Sequence, residues 1–453
     1  MSKNQNHHLS ANLKSSILNH RVIAVYGLGN VGGPIAAAWL RGGATVIGVD
    51  ISKKLLANIQ KGKSHEKEPF VSEAFSNGLR NKKFSVTSDG ISASKKSNIK
   101  IVAVPVGLQN KSIDLRALVS VAKDISAGLK KGDAVLISPS LPPGTCEKVI
   151  LPILEKRSRL KGERDFHLIY NPERIFEGRA LKDIEENYPA IVSGLGKKSL
   201  AFGKELLAII SKKGVLVLSS IANAEAEKLF EGVYRDVNIA LANELADFCE
   251  KSGVNYWEAR KGANSQPFCH LHYPGTGVGG LCIPVYPRFV IDAAKEMGMS
   301  LKMIESARKI NDFMPKKCVA DALTLFDKHK INPKGKKIAV LGLGFRGEVV
   351  DSRLSPTYTV VKEFIAKGCN VQVHDPYIFE DGDLPKSVKL SSNLNEVIKN
   401  ASMIFISSDH KLYSKLNSKS FSVAKKPLLI FDGRNILDKN NFKNSSFLTI
   451  GLR

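Results

Sequence analysis

The chain has 453 residues, 43% hydrophobic and 24% charged, which is long enough for two or three self-sufficient cores and too apolar for a disordered protein. Its 67 lysines and arginines outnumber 43 aspartates and glutamates, for a formal net charge of +24. The lysines come as scattered pairs (Lys53-Lys54, Lys82-Lys83, Lys95-Lys96, Lys212-Lys213), not as one arm or an aromatic-interleaved stripe, which favours a solvated surface attractive to small anions over a nucleic-acid-binding protein.

Residues 1–20 read as a polar, mobile tail, without the apolar core of a secretory signal. No later stretch approaches the roughly 20 apolar residues of a membrane span, so a cytoplasmic protein is expected. RVIAVYGLGNVGGPIAAAWLRGGATVIGVD then predicts a buried strand, a glycine turn, an alanine-rich helix and a second strand ending in Asp50. Gly27, Gly29 and Gly32 form GxGxxG between strand and helix, and Asp50 follows 23 residues after Gly27. Glycines in this setting permit a tight turn and close approach of a pyrophosphate, which the helix N-terminus receives. Asp50 would accept hydrogen bonds from ribose hydroxyls and repel a 2′-phosphate, so NAD is favoured over NADP.

Apolar strands (IKIVAVPV, DAVLIS, FHLIYN) alternating with helical stretches continue the pattern of a parallel sheet. From about Ala222 to Ser252 the chain reads as one long helix, with Leu229, Val233, Val237, Ala240 and Leu241 at helical spacing. Such a helix bridges domains or forms a subunit interface. Near residue 335 a second α/β unit begins with KKIAVLGLGFRG. It repeats GxGxxG at Gly342, Gly344 and Gly347, but its helix is expected only at Ser355-Pro356, with serine as cap. Arg346 and Arg353 offer forked donors suited to phosphate, so a nucleotide diphosphate without nicotinamide fits this half better. The fold expected is α/β, with two Rossmann-like parallel-sheet domains joined by a long central helix. The expected boundaries are 21–215, 216–330 and 331–453. Six cysteines (146, 249, 269, 282, 318, 369) include no CxxC pair, and Cys269, His270 and His272 lack a second ligand pair, so no disulfide framework and no metal are expected.

GLGNVGGPIA, PPGT (142–145), NPERIFEG (171–178), AEAEKLFEGVYRDVNIALANE (224–244), PGTGVGGLCIP (274–284), FRGEVVDSRLSP (345–356) and VHDP (373–376), in this order, resemble the UDP-glucose/GDP-mannose dehydrogenases over nearly the whole chain from residue 21. The resemblance implies a homodimeric, NAD-dependent enzyme of polysaccharide biosynthesis. It would oxidise the primary alcohol of a UDP- or GDP-linked hexose or N-acetylhexosamine to the uronic acid through a cysteine thiohemiacetal and thioester. By resemblance Cys282 is the nucleophile, Lys228 steadies developing oxyanions, and Glu177 acts as base or orients water. NAD would be held by Gly27, Gly29, Asn30, Val31, Gly32, Asp50, Pro105 and Val106. Glu173, Arg174, Gly279, Gly280, Phe345, Arg346 and Arg353 would contact the substrate, and Arg174 leans towards the branches that oxidise N-acetylated aminosugars.

The chain departs from the family pattern at Gly232 (commonly asparagine), Leu141 (threonine), Val106 (threonine) and Tyr286 (aspartate). Cysteine, lysine and glutamate remain, the minimum set for the covalent route. Two readings follow: an active, divergent branch, or a protein that binds NAD and a nucleotide sugar with weak or no turnover.

Overall fold

The computed structural model describes residues 17, 18, 21–63, 65, 68–109 and 112–452. The tail expected over residues 1–20 lies outside the described residues except for Ile17 and Leu18, and Ile17 is buried in a hydrophobic core. The chain forms two compact units, one ending at Phe230 and one beginning at Glu231.

The strands of the first unit are β1 (Val22–Tyr26), β2 (Thr45–Val49), β3 (Phe84–Thr87), β4 (Ile99–Val102), β5 (Gly107–Gln109), β6 (Ser112–Asp114), β7 (Ala134–Ile137), β8 (His167–Tyr170), β9 (Ala190–Gly194) and β10 (Val215–Val217). β5 and β6 pair as a separate antiparallel hairpin, and the other eight form one sheet in the order β10-β9-β8-β7-β4-β1-β2-β3. Every neighbouring pair in that sheet is parallel except β8 with β9. The central strands read VIAVY, IKIV and AVLI because helices cover both faces of a parallel sheet, so apolar runs replace alternation. Lys100 is the exception: fully buried in β4, it pairs with Asp133, and desolvation pushes its pKa down to about 8. Strand order reverses between β1 and β4, so their carboxyl ends open a crevice where ligands bind in such sheets.

A 32-residue helix, Ile221–Ser252, lies where the apolar spacing predicts one. In the second unit, strands β11 (Lys337–Leu341), β12 (Asn370–His374), β13 (Lys389–Ser391), β14 (Met403–Ile406), β15 (Leu429–Asp432) and β16 (Ser446–Thr449) form an all-parallel sheet. Its order, β13-β12-β11-β14-β15-β16, is the doubly wound one, with the reversal between β11 and β14. Within this unit Asp236 of the long helix accepts from Arg308 and Asn311 of the helix Lys302–Lys328, and Asn243 donates to Asn311 at 3.0 Å. These shared hydrogen bonds tie the two helices in one register, although among the described residues Asp236 Oδ2 and Arg308 Nε are buried without a hydrogen-bond partner. Among the described residues no helix is long and apolar enough to cross a membrane.

Candidate active site

The first glycine turn is cut to backbone thickness. A Cβ on Gly32 would lie 1.7 Å from the Gly27 carbonyl oxygen, and one on Gly27 (φ +88°) 2.9 Å from that of Ala103, beyond the end of β4. A Cβ on Gly29, by contrast, would meet nothing within 4 Å. The helix Gly32–Arg41 starts directly on this turn, with Val31 at its N-cap and no side chain capping it. Asp50 Oδ2 accepts from Leu28 N–H at 2.8 Å and Oδ1 from Ser52 N–H at 2.8 Å, which holds the carboxylate at the end of β2. Exposed Asn30 lies on the turn itself, and exposed Pro105 and half-buried Val106 lead from β4 into the hairpin. A tight cradle, an open face and an uncapped helix start fit the pyrophosphate of a dinucleotide. Sequence reasoning missed His65, whose Nε2 lies 2.8 Å from the Leu28 carbonyl oxygen and 3.2 Å from that of Gly29. Its only signal is a histidine in a polar stretch, with no fixed distance from the glycines.

The 171–178 loop leaves the carboxyl end of β8. Buried Glu68 ties it down by accepting from Gly178 N–H at 2.6 Å and Ala180 N–H at 3.0 Å. Glu173 keeps partial surface exposure as a residue, yet its carboxyl is desolvated. That burial pushes its pKa up to about 7 against the opposing pull of the Lys228 charge and of the Ile175 and Arg174 N–H groups. A carboxyl poised there exchanges protons at neutral pH. Arg174 turns into the fold: it donates to the Pro189 carbonyl and stacks over the Tyr188 ring at 4.9 Å. Half-buried Glu177 stands on the same loop, immediately before Gly178.

In the second unit Cys282 is exposed, at the end of a glycine loop and just before the helix Tyr286–Glu296. Its carbonyl accepts from Val285 N–H at 3.1 Å and Tyr286 N–H at 2.9 Å, and the Tyr286 hydroxyl donates to its Sγ at 3.2 Å. Gly280 (φ +85°) donates to the Arg353 carbonyl at 3.0 Å, and a Cβ on Gly279 would lie 2.7 Å from Phe345 Cβ and 2.6 Å from the Leu354 carbonyl oxygen. The structure therefore brings Gly279, Gly280, Phe345 and Arg353 together, with Arg346 set over the Phe345 ring at 6.0 Å. The Arg353 guanidinium forks onto Asp351 at 2.9 and 2.6 Å. Arg434, unforeseen in the sequence, stands beside Gly275: a Cβ there would lie 2.7 Å from its guanidinium. The available signal was position, since Arg434 lies two residues beyond the carboxyl end of β15.

The second glycine turn differs as its sequence suggests. The N–H groups of Leu343 and Gly344 donate to Asp375 Oδ2 at 2.8 and 2.9 Å, so one carboxylate takes up both donors. Burial alone would raise the Asp375 pKa, but hydrogen bonds from His410 and Gly344 hold it below the ordinary value, and the plug stays ionised. The helix Pro356–Ala366 begins well beyond the turn, capped by Ser355.

Family models match three consecutive segments of the chain. Residues 21–211 match the NAD binding domain of the UDP-glucose/GDP-mannose dehydrogenase family, 222–313 its central domain, and 339–439 its UDP binding domain. The chain belongs to this family. It is an NAD-dependent oxidoreductase, and what it oxidises is a nucleotide sugar. The chain is 34% identical over 92% of its length to the UDP-N-acetyl-D-mannosamine dehydrogenase of Pyrococcus horikoshii, 96% of which is covered. It is 32% identical over 88% of its length to the NDP-N-acetyl-D-galactosaminuronic acid dehydrogenase of Ralstonia solanacearum, 93% of which is covered. The solved structure of UDP-D-ManNAc dehydrogenase from Pyrococcus horikoshii superposes with a TM-score of 0.88 at 32% identity, covering 95% of this chain and 99% of that one.

Proposed function

We propose that this family member carries out a four-electron oxidation of a UDP-linked N-acetylhexosamine, converting its primary alcohol to the uronic acid through covalent intermediates on Cys282. The observation that carries this reading is the exposed Cys282 thiol, set on a glycine loop with a hydroxyl donor on its sulfur. A two-electron alcohol dehydrogenase would have no task for such a thiol. The N-acetylhexosamine assignment rests on the relatives, whose names specify N-acetylated sugars, and on Arg174 after Pro172-Glu173.

When bound, NAD+ accepts a hydride, and two equivalents balance the four electrons. Gly27, Gly29 and Gly32 would admit its pyrophosphate, with Asn30, Val31, Pro105 and Val106 alongside and Asp50 on its ribose. After the alcohol has become an aldehyde, the Cys282 thiolate adds to the carbonyl carbon as a thiohemiacetal. Loss of a second hydride leaves a thioester, and water displaces the thiolate to release the acid. By the family resemblance Lys228 would steady the developing oxyanions with its positive charge. Glu177 would act as base or orient the attacking water, with Glu173, whose desolvated carboxyl has a raised pKa, beside it on the loop. Gly279, Gly280, Phe345, Arg346, Arg353 and Arg434 would receive the nucleotide diphosphate on the second unit. We further propose a homodimer through the long helix, where Tyr234, Leu241 and Phe248 repeat every seven residues at exposures of 53%, 41% and 63%.

The test is to incubate the protein with NAD+ and a panel of UDP- and GDP-sugars while counting NADH formed per sugar consumed. Two NADH per UDP-N-acetylhexosamine is the expected result, with wild-type turnover lost in Cys282→Ser. A single NADH per sugar, or none with any sugar despite NAD binding, would refute the four-electron reading.

A further inference from the structure

The two departures at Gly232 and Tyr286 touch one another. Gly232 lies inside the long helix, where glycine is less favourable than alanine. A Cβ there would lie 2.5 Å from Tyr286 Cδ2, 3.0 Å from its Cβ and 3.1 Å from its Cγ. These atoms form the stem and near edge of a ring that is 9% exposed, so they cannot swing away as the tip of a long chain could. Any side chain at 232 would thus expel the ring. Cys282 lies in the turn that precedes the helix opened by Tyr286, and the Tyr286 N–H donates to the Cys282 carbonyl at 2.9 Å, which closes the turn and brings ring and sulfur together. With its stem lodged against Gly232, the ring aims its hydroxyl back at Cys282 Sγ, 3.2 Å away.

We infer that Tyr286 is a further catalytic residue, a fixed hydrogen-bond donor to the sulfur of Cys282, and that Gly232 is kept as glycine to make room for it. The inference rests on the reading of Cys282 as nucleophile. A hydroxyl donor on the sulfur stabilises the thiolate before it adds to the aldehyde, and again when water displaces it from the thioester. Tyr286 keeps its proton throughout: it donates a hydrogen bond and transfers nothing, so the step balances without another reactant. The phenol also holds the sulfur in one orientation, which limits the approaches open to the carbonyl carbon.

The first test uses neither NAD nor sugar. Cys282 alkylation by iodoacetamide is followed by mass on the peptide that contains it, at neutral pH, in wild type and Tyr286→Phe. Tyr286→Phe would leave the sulfur without its hydroxyl donor and its fixed orientation, and because a donor on sulfur also tempers its nucleophilicity, the rate should fall about threefold in the variant. In turnover, kcat should fall by a similar factor with the sugar KM unchanged. An unchanged alkylation rate would overturn the proposal, because a ring that only packs would leave the thiol as it was. The second test addresses Gly232. Gly232→Ala should lower the melting temperature when Tyr286 is present and raise it in a Tyr286→Ala background, as alanine ordinarily does inside a helix. A rise in both backgrounds would show that Gly232 makes no room for the ring. Full two-NADH turnover by Cys282→Ser would sink the nucleophile reading, whereas the alkylation difference would still stand, so the two failures are distinguishable.

Discussion

Single side chains were unevenly legible. The Gly27, Gly29 and Gly32 turn could be read from the sequence because its requirement is steric and local: a strand, a turn without Cβ atoms and a helix follow in unbroken order. Glu173 could be singled out in the sequence through the NPERIFEG motif, but its raised proton affinity could not, since that depends on desolvation in the fold and on the charge of Lys228, distant in sequence. The sign of its effect on stability follows from the raised pKa. Between the ordinary value of 4.5 and about 7 the folded state holds a proton that the unfolded state has lost. The group's contribution is therefore complete below 4.5 and is lost as pH rises through 7. Glu173→Gln should abolish that loss, gaining on wild type by on the order of 2 kcal/mol between pH 5 and pH 8. Urea midpoints of both proteins at the two pH values measure this, and parallel midpoints would mean that the carboxyl titrates normally.

At the scale of elements, the long helix was readable because 32 residues run without proline and keep an apolar spacing. The same spacing did not say which face is covered. Leu229 and Ala240 are buried, whereas Tyr234, Leu241 and Phe248 face outward. An aromatic and aliphatic row at seven-residue intervals suits a second copy of the same helix. Phe248→Asp should convert a dimer into monomers by sedimentation velocity while leaving the circular dichroism spectrum intact. A variant that sediments as wild type would place the interface elsewhere. The delayed start of the helix Pro356–Ala366 was also readable, from Ser355-Pro356. That Asp375 plugs the second glycine turn was not, because its hydrogen bonds reach back 31 and 32 residues to the turn.

At the scale of the whole molecule, one mostly parallel and one all-parallel sheet, with reversal points between β1 and β4 and between β11 and β14, supply two ligand-binding edges of unlike chemistry. The first leaves a glycine cradle open at a helix start, and the second fills its turn with a carboxylate and has Arg434 donating to the Ser407 carbonyl at 2.8 Å and the Phe345 carbonyl at 3.5 Å. That division of labour suits a dinucleotide on one sheet and a nucleotide diphosphate on the other. Cys282 is the residue on which the four-electron account stands. Acid quenching of the protein in mid-turnover with NAD+ and UDP-N-acetylmannosamine, followed by digestion and mass analysis, would test it directly. The Cys282 peptide should carry the mass of a nucleotide-linked uronyl group as a thioester. Two NADH per sugar with an unmodified Cys282 peptide, and the same stoichiometry from Cys282→Ser, would contradict it.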